Sequence, residues 1–298
     1  MLSYFLLSLF VATASGQVAS KAIIDFCTPS DPQSCGANGL CVQKRLGARC
    51  ECPQGWMGRG CKRPCQDVYK SCKRWYEEKR CSWTKPISPF FADNCALSCG
   101  ACKSNGQALD LALPPILDNI EWFVGRWESK TTASMRFPEP MSGPYTEVLD
   151  IQISEVPSFD RPPVNVTVTA TTFDGTDTHR EVGFLTSKPF NEDTGFVDLK
   201  KPEEGNDLVA IEMVTNTGLL LIEEGTVRGN QLRLETVYKK AMPGAHVGGY
   251  SKSKRLFTLR DSETLEERVV LIDENGASTK WLKRYRKTFN YLTNYISV

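Results

Sequence analysis

The sequence predicts a mainly β protein in which two small disulfide-rich modules precede an antiparallel β-barrel of about ten strands. All twelve cysteines lie between Cys27 and Cys102, and residues 103–298 contain none. A short segment cannot bury enough apolar surface and needs covalent links, whereas a segment as long as residues 103–298 can be stabilised by burial. The last cysteine therefore predicts a domain boundary, and alternating apolar and polar residues beyond it predict strands.

The N-terminus predicts export from the cell. Residues 1–16 form a short apolar run that ends in the small residues Ala12, Ala14 and Gly16. Such a run is typical of a secretory signal peptide, with an uncleaved anchor as the alternative. No later apolar stretch approaches the ~20 residues that a membrane helix needs. Because an even cysteine count also favours an oxidising compartment, we expect a secreted, extracellular protein without membrane insertion.

The charge composition does not favour nucleic-acid binding. The chain has 36 basic and 35 acidic residues and a net charge of +1, whereas binding to phosphate backbones needs a concentrated basic field. Basic residues do cluster within residues 280–287, where Trp281, Leu282 and Tyr285 are interleaved with them. This pattern predicts that the basic residues lie on the outward face of a strand.

The first disulfide-rich module comprises residues 27–61. Its cysteines are Cys27, Cys35, Cys41, Cys50, Cys52 and Cys61. Their number alone leaves all pairings open. The late Cys50-Glu51-Cys52 and the following Gly55-Trp56-Met57-Gly58 resemble an epidermal-growth-factor-like (EGF-like) module. That resemblance implies the bridges Cys27–Cys41, Cys35–Cys50 and Cys52–Cys61.

Calcium-binding members of the EGF-like family carry acidic residues before the first cysteine and an Asp or Asn two residues after the third. Here only Asp25 precedes Cys27, and Gln43 occupies the later position. A hard cation needs several oxygen ligands. We therefore predict no metal site in this module.

The second module comprises residues 65–102. Its cysteines are Cys65, Cys72, Cys81, Cys95, Cys99 and Cys102. The closing Cys95-Ala96-Leu97-Ser98-Cys99-Gly100-Ala101-Cys102 resembles the ShK toxin-like module, which implies short helices and the bridges Cys65–Cys102, Cys72–Cys95 and Cys81–Cys99. Zinc binding by the closing cysteines is the alternative, but thiols of a secreted chain oxidise.

Channel block is a known activity of ShK-like modules. The members with that activity use a Lys-Tyr pair between the third and fourth cysteines. In this chain Lys85 is followed by Pro86, and the stretch contains no tyrosine. We therefore expect a structural or protein-contact role.

Residues 103–109 are predicted to form a polar linker. Beyond them, apolar and polar residues alternate with a period of two. Turn signals such as Asp174-Gly175 and Asn275-Gly276 separate the candidate strands. These strands are predicted at residues 124–135, 145–156, 164–173, 181–187, 195–199, 208–215, 219–227, 231–238, 253–260, 265–272 and 279–287. Antiparallel strands without helices between them favour a closed barrel, because closure removes exposed edges.

Several motifs of this segment occur in the order found in the nitrobindin-like barrel family. They are Pro114-Pro115-Ile116-Leu117, Trp122-Phe123-Val124-Gly125-Arg126-Trp127-Glu128, His179-Arg180-Glu181-Val182-Gly183-Phe184-Leu185, Asn216-Thr217-Gly218 and Tyr285-Arg286-Lys287. The resemblance covers about residues 110–289 and implies a ten-stranded antiparallel barrel related to lipocalins and fatty-acid-binding proteins. Residues 290–298 are left as a C-terminal tail.

The resemblance raises the question of haem. Nitrobindins hold ferric haem through a histidine in a Thr-x-His-Leu context, and Trp281 occupies that position here. An indole nitrogen is a donor only and cannot coordinate iron. The family's Tyr-Pro-Thr haem contact is replaced by Phe137-Pro138-Glu139. If haem binds, His246 and His179 are the possible ligands, but we expect no cofactor.

The sequence shows no catalytic constellation. It contains neither a Gly-x-Ser-x-Gly turn near a histidine nor a His-Glu-x-x-His helix. The adjacent carboxylates Glu203-Glu204 and Glu223-Glu224 do not form an acid–base pair, since neighbours on a strand point to opposite faces. We interpret them as turn and surface charge.

The leading hypothesis is a secreted, non-enzymatic binding protein. Its barrel would hold a small hydrophobic ligand in an apolar cavity, with Trp127, Phe137, Phe184 and Trp281 as the candidate cavity residues, while the disulfide modules contact extracellular proteins or matrix. One alternative is a haem-binding, nitrobindin-like enzyme that acts on nitric oxide or peroxynitrite. Another is an adhesion or structural scaffold with a filled barrel.

One N-glycosylation signal is present, Asn165-Val166-Thr167. Because Asn165 alternates with Val164 and Val166 on a predicted strand, its side chain is expected to face outward. That orientation is the one glycosylation requires.

Overall fold

The computed structural model describes residues 27–297 with several internal gaps. The gaps are residues 32, 37–38, 45–46, 59, 87, 89, 159–161, 189–206 and 245–248. The predicted signal peptide, the predicted strand at residues 195–199, Glu203-Glu204 and His246 therefore lie outside the described part of the chain.

The first module consists of two small hairpins held by three disulfides. Strand β1 (Leu40–Lys44) pairs with β2 (Gly47–Glu51), and β3 (Trp56–Met57) pairs with β4 (Arg63–Pro64). The bonds are Cys27–Cys41, Cys35–Cys50 and Cys52–Cys61. These are the pairs that the EGF-like resemblance implies.

The second module contains the short helices α1 (Cys72–Glu77), α2 (Arg80–Trp83) and α3 (Phe90–Asn94). Its bonds, Cys65–Cys102, Cys72–Cys95 and Cys81–Cys99, are those implied by the ShK-like resemblance. Trp75 and Phe91 form its small core, with their rings edge to face at 5.4 Å. So small a core cannot hold the helices without the covalent links.

The residues predicted as linker and tail form a two-stranded sheet. Strand β5 (Gln107–Leu109) pairs antiparallel with β16 (Tyr295–Ser297). After β5, a 3-10 helix at Pro115–Phe123 begins with Pro at its N-terminus, where the missing N–H costs no hydrogen bond. A second, short 3-10 helix at Tyr291–Thr293 precedes β16.

Ten antiparallel strands close into a barrel, which confirms the predicted mainly β class. They are β6 (Gly125–Thr131), β7 (Tyr145–Ile153), β8 (Val164–Thr172), β9 (Thr178–Lys188), β10 (Asp207–Thr215), β11 (Leu219–Arg228), β12 (Gln231–Ala241), β13 (Lys252–Asp261), β14 (Thr264–Ile272) and β15 (Ser278–Phe289). Around the barrel their order is β10-β11-β12-β13-β14-β15-β6-β7-β8-β9. In β8 the buried positions alternate as predicted, with Val164, Val166 and Val168 inside.

The first 3-10 helix covers one end of the barrel. Its Leu117, Ile120 and Phe123 are buried in the main core. The side chain of Asn119 donates to Ser187 Oγ at 2.6 Å and to Asp207 Oδ2 at 2.8 Å, so the helix is tied to the end of β9 and the start of β10. No helix in the described ranges is long and apolar enough to span a membrane.

The disulfide modules contact the barrel through a buried ion pair. Arg63 is 5% exposed, pairs with Asp118 of the 3-10 helix and donates to the carbonyl oxygen of Leu113. Nearby, Gln66 Nε2 donates to Leu109 O at 3.1 Å, and Leu109 N donates back to Gln66 Oε1 at 2.7 Å. These contacts fix the modules against the start of the barrel.

Replacing Arg63 by methionine is expected to lower the free energy of unfolding by about 2–5 kcal/mol, because a buried carboxylate loses its guanidinium. It should also speed proteolysis within residues 103–114. The matched control is Lys62→Met, which removes an ion pair with Glu121 in which the lysine is 65% exposed. That control should change stability by no more than about 1 kcal/mol. Equal effects in urea unfolding and timed trypsin digestion would show that the contact does not hold the modules.

Candidate functional site

The barrel interior has an apolar layer next to the first 3-10 helix. Phe123 packs on Phe257 at 5.0 Å between ring centres, and Leu149, Ile151 and Val166 are buried around them. The cavity that remains at the edge of this layer offers only about 20 Å³ to the centre of a water molecule. Such a space holds about one water.

Beyond this layer the interior is filled by charged side chains, which we call the inner ion cluster. Its members are Arg136, Glu147, Glu181, Glu223, Arg255, Glu267, Lys283 and Tyr285. All are buried except Arg255, whose side chain is 11% exposed. They come from β7, β9, β11, β13, β14 and β15 and from the loop before β7, so the cluster links most of the barrel wall.

Glu147 is the centre of one half of the cluster. Its Oε2 accepts from Arg136 Nε at 2.6 Å, and its Oε1 accepts from Lys283 Nζ at 2.7 Å. The hydroxyl of Tyr285 also donates to Glu147. Arg136 makes a second ion pair with Glu181. One carboxylate therefore bridges two buried cations.

Arg255 is the centre of the other half. Its Nη1 donates to Glu223 Oε2 at 2.6 Å, and its Nη2 lies 2.8 Å from Glu267 Oε1. The guanidinium carbon is 4.4 Å from the ring centre of Phe137 and 4.8 Å from that of Phe257, which are cation–π distances. Arg255 thus joins the charged layer to the apolar one.

The electrostatics divide the four carboxylates of the cluster into two classes. Burial alone would raise the pKa of Glu147, but Lys283 and Arg136 lower it to about 2. Glu267 is similar: burial opposes ionisation, but Arg255 and Lys283 hold its pKa below the ordinary value. At Glu181 and Glu223 burial prevails and raises the pKa. The cluster thus places four carboxylates against the three cations Arg136, Arg255 and Lys283.

Trp127 and Phe137 lie inside the barrel, as the cavity hypothesis requires. Trp127 is fully buried, its Nε1 donates to Phe123 O at 2.9 Å, and Lys287 Nζ lies 4.3 Å from its ring centre. Phe137 packs beneath Arg255. Both side chains belong to the main buried core, and Phe137 also lines the cavity of about 20 Å³.

Phe184 is not a cavity residue. It is 51% exposed, on the outer face of β9, because the inward positions of that strand are held by Glu181, Gly183 and Leu185. Gly183 is required there, since a Cβ would lie 1.8 Å from the carbonyl oxygen of Glu212. The prediction that placed Phe184 in the cavity is therefore wrong.

Trp281 is partly buried and packs against the main core. It occupies an inward position of β15, two residues before Lys283, and pairs across the sheet with Val269. Its Nε1 is buried and has no hydrogen-bond partner among the described residues. It therefore presents a proton toward the barrel, where a metal ligand would have to present a lone pair.

His179 is the one candidate haem ligand that the structure describes. Its Nε2 lies 3.3 Å from Asp177 Oδ1, and its Nδ1 is buried without a described partner. It lies on β9, whereas Trp281 lies on β15, and these strands are not neighbours in the barrel. His179 therefore does not lie next to the position that the resemblance assigns to the axial ligand.

Two charge predictions were wrong. Glu223 is fully buried in the inner ion cluster and is not surface charge. Lys283, assigned to an outward strand face, points inward and is 6% exposed, while its neighbour Leu282 is 45% exposed. Alternation places Lys283 on the same strand face as Trp281 and Tyr285 but does not by itself show that this face is the inner one.

One described group of side chains has the spacing of a metal site. The sulfur atoms of Cys27, Cys35 and Cys50 lie within 4.8 Å of one another. All three belong to disulfides, so they have no thiolate to offer a metal.

A cleft of about 700 Å³ lies between the two modules and the first 3-10 helix. Its wall includes Arg49, Trp56, Lys85, Asp93 and Asp118. Burial raises the pKa of Asp93 to about 6, against the opposing effect of Arg49 and with a further rise from Asp118. The cleft therefore contains a carboxyl group that titrates close to neutral pH.

The native protein is expected to become less stable as the pH rises from about 4 to about 6, and the Asp93→Asn variant is expected not to show this decrease. An acid with a raised folded pKa stabilises the fold below its unfolded value and loses that contribution as the pH rises through the folded value. The native protein should lose about 1–3 kcal/mol over this window from Asp93. Urea midpoints at several pH values test this, with Asp110→Asn at an exposed position as the control. Parallel pH profiles for native and Asp93→Asn protein would contradict it.

The comparison with known families agrees with this architecture. A family model described as the THAP4-like, heme-binding beta-barrel domain matches residues 116–286. The chain belongs to this THAP4-like family. A second model, described as ShK domain-like, matches residues 64–102.

Curated relatives of this THAP4-like chain include an uncharacterized protein of Caenorhabditis elegans, 25% identical over 70% of this chain and 67% of its own length. Proteins named peroxynitrite isomerase THAP4 from Rattus norvegicus and Mus musculus are 27% identical over 57% of this chain. The match spans about a quarter, 26%, of their length. The crystal structure of Rv2717c from M. tuberculosis aligns with 59% of this chain and 98% of its own, at 18% identity and a TM-score of 0.41.

The interior of this THAP4-like barrel does not fit the haem that the family description names. The position that the resemblance assigns to the iron ligand is an indole, and its buried nitrogen carries a proton. The adjoining inward positions hold Lys283 and Tyr285, both engaged with Glu147. The described interior cavity beside Phe137 and Arg255 offers about 20 Å³, far too small for a macrocycle.

Proposed function

We propose that the chain is a secreted, non-enzymatic protein whose filled THAP4-like barrel is a rigid scaffold. The observation that carries this proposal is the inner ion cluster, which occupies the space where a ligand would lie. The scaffold presents the ShK-like module and the EGF-like module to extracellular proteins or matrix. Their framework is covalent, and a cleft of about 700 Å³ lies between them.

The size of the barrel cavity weighs against the small hydrophobic ligand of the leading hypothesis. Sites for such ligands enclose about 300–1,000 Å³, compared with about 20 Å³ here. Making room for such a ligand would require Arg255 or Phe137 to leave the interior. If Arg255 left, Glu223 and Glu267 would lose their guanidinium partner. Breaking one such buried pair costs about 3–5 kcal/mol, which would be subtracted from the binding free energy of the ligand.

Haem-dependent peroxynitrite chemistry is the second candidate, because proteins named peroxynitrite isomerase are among the relatives. The similarity extends over 170 residues at 27% identity and covers 26% of that relative. We propose that this activity is absent from the chain, since Trp281 cannot ligate iron and the inner ion cluster fills the adjoining space.

Haem titration of the secreted full chain tests both candidates. We expect no Soret band in the native protein and none in the Trp281→His variant, because the variant supplies a ligand without supplying space. A band in the native protein would contradict the scaffold proposal and support the haem alternative. A band in Trp281→His alone would show that the barrel does have room and that only the ligand is missing. Native mass spectrometry of the same samples should show no bound lipid, and retained fatty acid would restore the cavity hypothesis.

A further inference from the structure

The outer wall of the barrel carries an apolar patch that the proposed function does not use. Phe184 is 51% exposed, Val182 is 50% exposed and Val214 is 56% exposed. Val182 and Val214 are paired across β9 and β10, so the three side chains are contiguous. Exposed apolar groups that lie together call for a covering partner, whereas isolated ones do not.

The N-glycosylation signal lies directly against this patch. Asn165 of β8 pairs with Phe184 of β9, and Thr167 pairs with Val182. Both signal residues are on the outward face, because Val164, Val166 and Val168 hold the buried positions. Side chains directly opposite one another have Cβ atoms about 5 Å apart. A sugar on the amide nitrogen of Asn165 therefore starts within reach of the Phe184 ring.

The surface beside Phe184 has the composition of a sugar-binding site. An open groove of about 270 Å³ adjoins the ring and includes Thr186, Ala210 and Glu212. A pyranose has one apolar C–H face, which packs on an aromatic ring, and a rim of hydroxyls, which need polar partners. Phe184 offers the aromatic ring, and Thr186 and Glu212 offer polar partners for the hydroxyls.

We propose that Asn165 is N-glycosylated and that Phe184 is the platform on which the first N-acetylglucosamine packs. The proposal rests on the secretory routing in the proposed function. In the transfer, the Asn165 amide nitrogen bonds to C1 of the sugar while the C1–oxygen bond to a lipid-linked diphosphate breaks. The diphosphate leaves with the electron pair, and the amide proton passes to a base of the transferase. The glycan then covers the part of the apolar patch that lies opposite the signal, Phe184 and Val182.

The first measurement is made on full-length protein secreted from animal cells. Intact mass before and after peptide-N-glycosidase treatment should show one N-glycan on the native chain and none on Asn165→Gln. A native chain that is secreted without a glycan overturns this inference and leaves the scaffold proposal standing. A chain that never enters the secretory pathway overturns this inference and the proposed secretion together.

The second measurement tests whether the Phe184 ring contacts the sugar, in addition to whether Asn165 is glycosylated. Phe184→Ala is expected to lower the melting temperature of the glycosylated protein by about 2–4 °C and to speed enzymatic removal of the glycan from folded protein. In the Asn165→Gln background the same change should have little effect. Val214→Ala, equally exposed but not paired with the signal, should act alike in both backgrounds. If Phe184→Ala also lowers the melting temperature equally in the glycosylated protein and in the Asn165→Gln background, the ring does not contact the sugar and the inference fails.

Discussion

Replacing Glu147 by alanine is expected to lower the free energy of unfolding by about 3–5 kcal/mol. The residue is 2% exposed and accepts from Arg136, Lys283 and Tyr285. Its removal leaves two buried cations without a shared carboxylate, and that penalty exceeds the loss of the hydrogen bonds themselves. Urea unfolding of the secreted protein measures the change.

The control for this variant is Glu235→Ala on β12. Glu235 also pairs with a lysine, Lys254, at 2.9 Å, but the two side chains are 61% and 55% exposed. Exposed pairs contribute about 0.2–1 kcal/mol. A Glu147→Ala effect as small as that of the control would mean that the inner ion cluster does not hold the barrel together.

The same variant should alter the response to acid. Because the folded pKa of Glu147 is lowered to about 2 from 4.5, its contribution is present above the unfolded value and disappears as the pH falls from about 4.5 toward 2. Glu181 and Glu223 have raised pKa values and act in the opposite sense. The native protein should therefore lose more stability below pH 4.5 than Glu147→Ala does.

Reduction of the six disulfides is expected to unfold both modules and leave the barrel folded. Each bond in a small domain contributes about 2–5 kcal/mol, and neither module has a core large enough to replace that contribution. The barrel contains no cysteine and holds the main core of the chain. The two parts should therefore separate in their response to dithiothreitol.

Limited proteolysis after reduction and alkylation measures this separation. The expected product is a protected fragment that begins near residue 110 and retains the near-ultraviolet dichroism of Trp122 and Trp127. Unreduced protein carried through the same alkylation is the control. Loss of the barrel signal together with the modules would show that docking through Arg63 and Asp118 is needed for the barrel itself to fold.

The features that the sequence predicts well are local or depend on the alternation of one strand. The barrel strand β8 follows from a short alternating run bounded by turn residues. The boundary at Cys102 follows from the distribution of the cysteines, and the short helices between Cys72 and Asn94 agree with the ShK-like resemblance. None of these features requires knowledge of which distant residues meet.

The inner ion cluster is not predictable by those rules. Glu147 and Lys283 are 136 positions apart, and nothing near either residue marks the other as its partner. Alternation shows that Lys283 and Leu282 face opposite ways but not which one faces in, and hydrophobicity selects the wrong one. Phe184 was misplaced for the same reason, since the inward position beside it is taken by Gly183, where only a hydrogen fits.

The inner ion cluster also limits how this protein can vary over generations. Each charge has at least one partner of opposite sign within the cluster. A substitution at one position therefore alters the interactions of its partners, and the stability changes of two such substitutions are not additive. Replacing Glu147 and Lys283 together by apolar residues should cost less than the sum of the single changes. Inherited changes at these positions are therefore expected in compensated sets, while the outer wall is free to change one residue at a time.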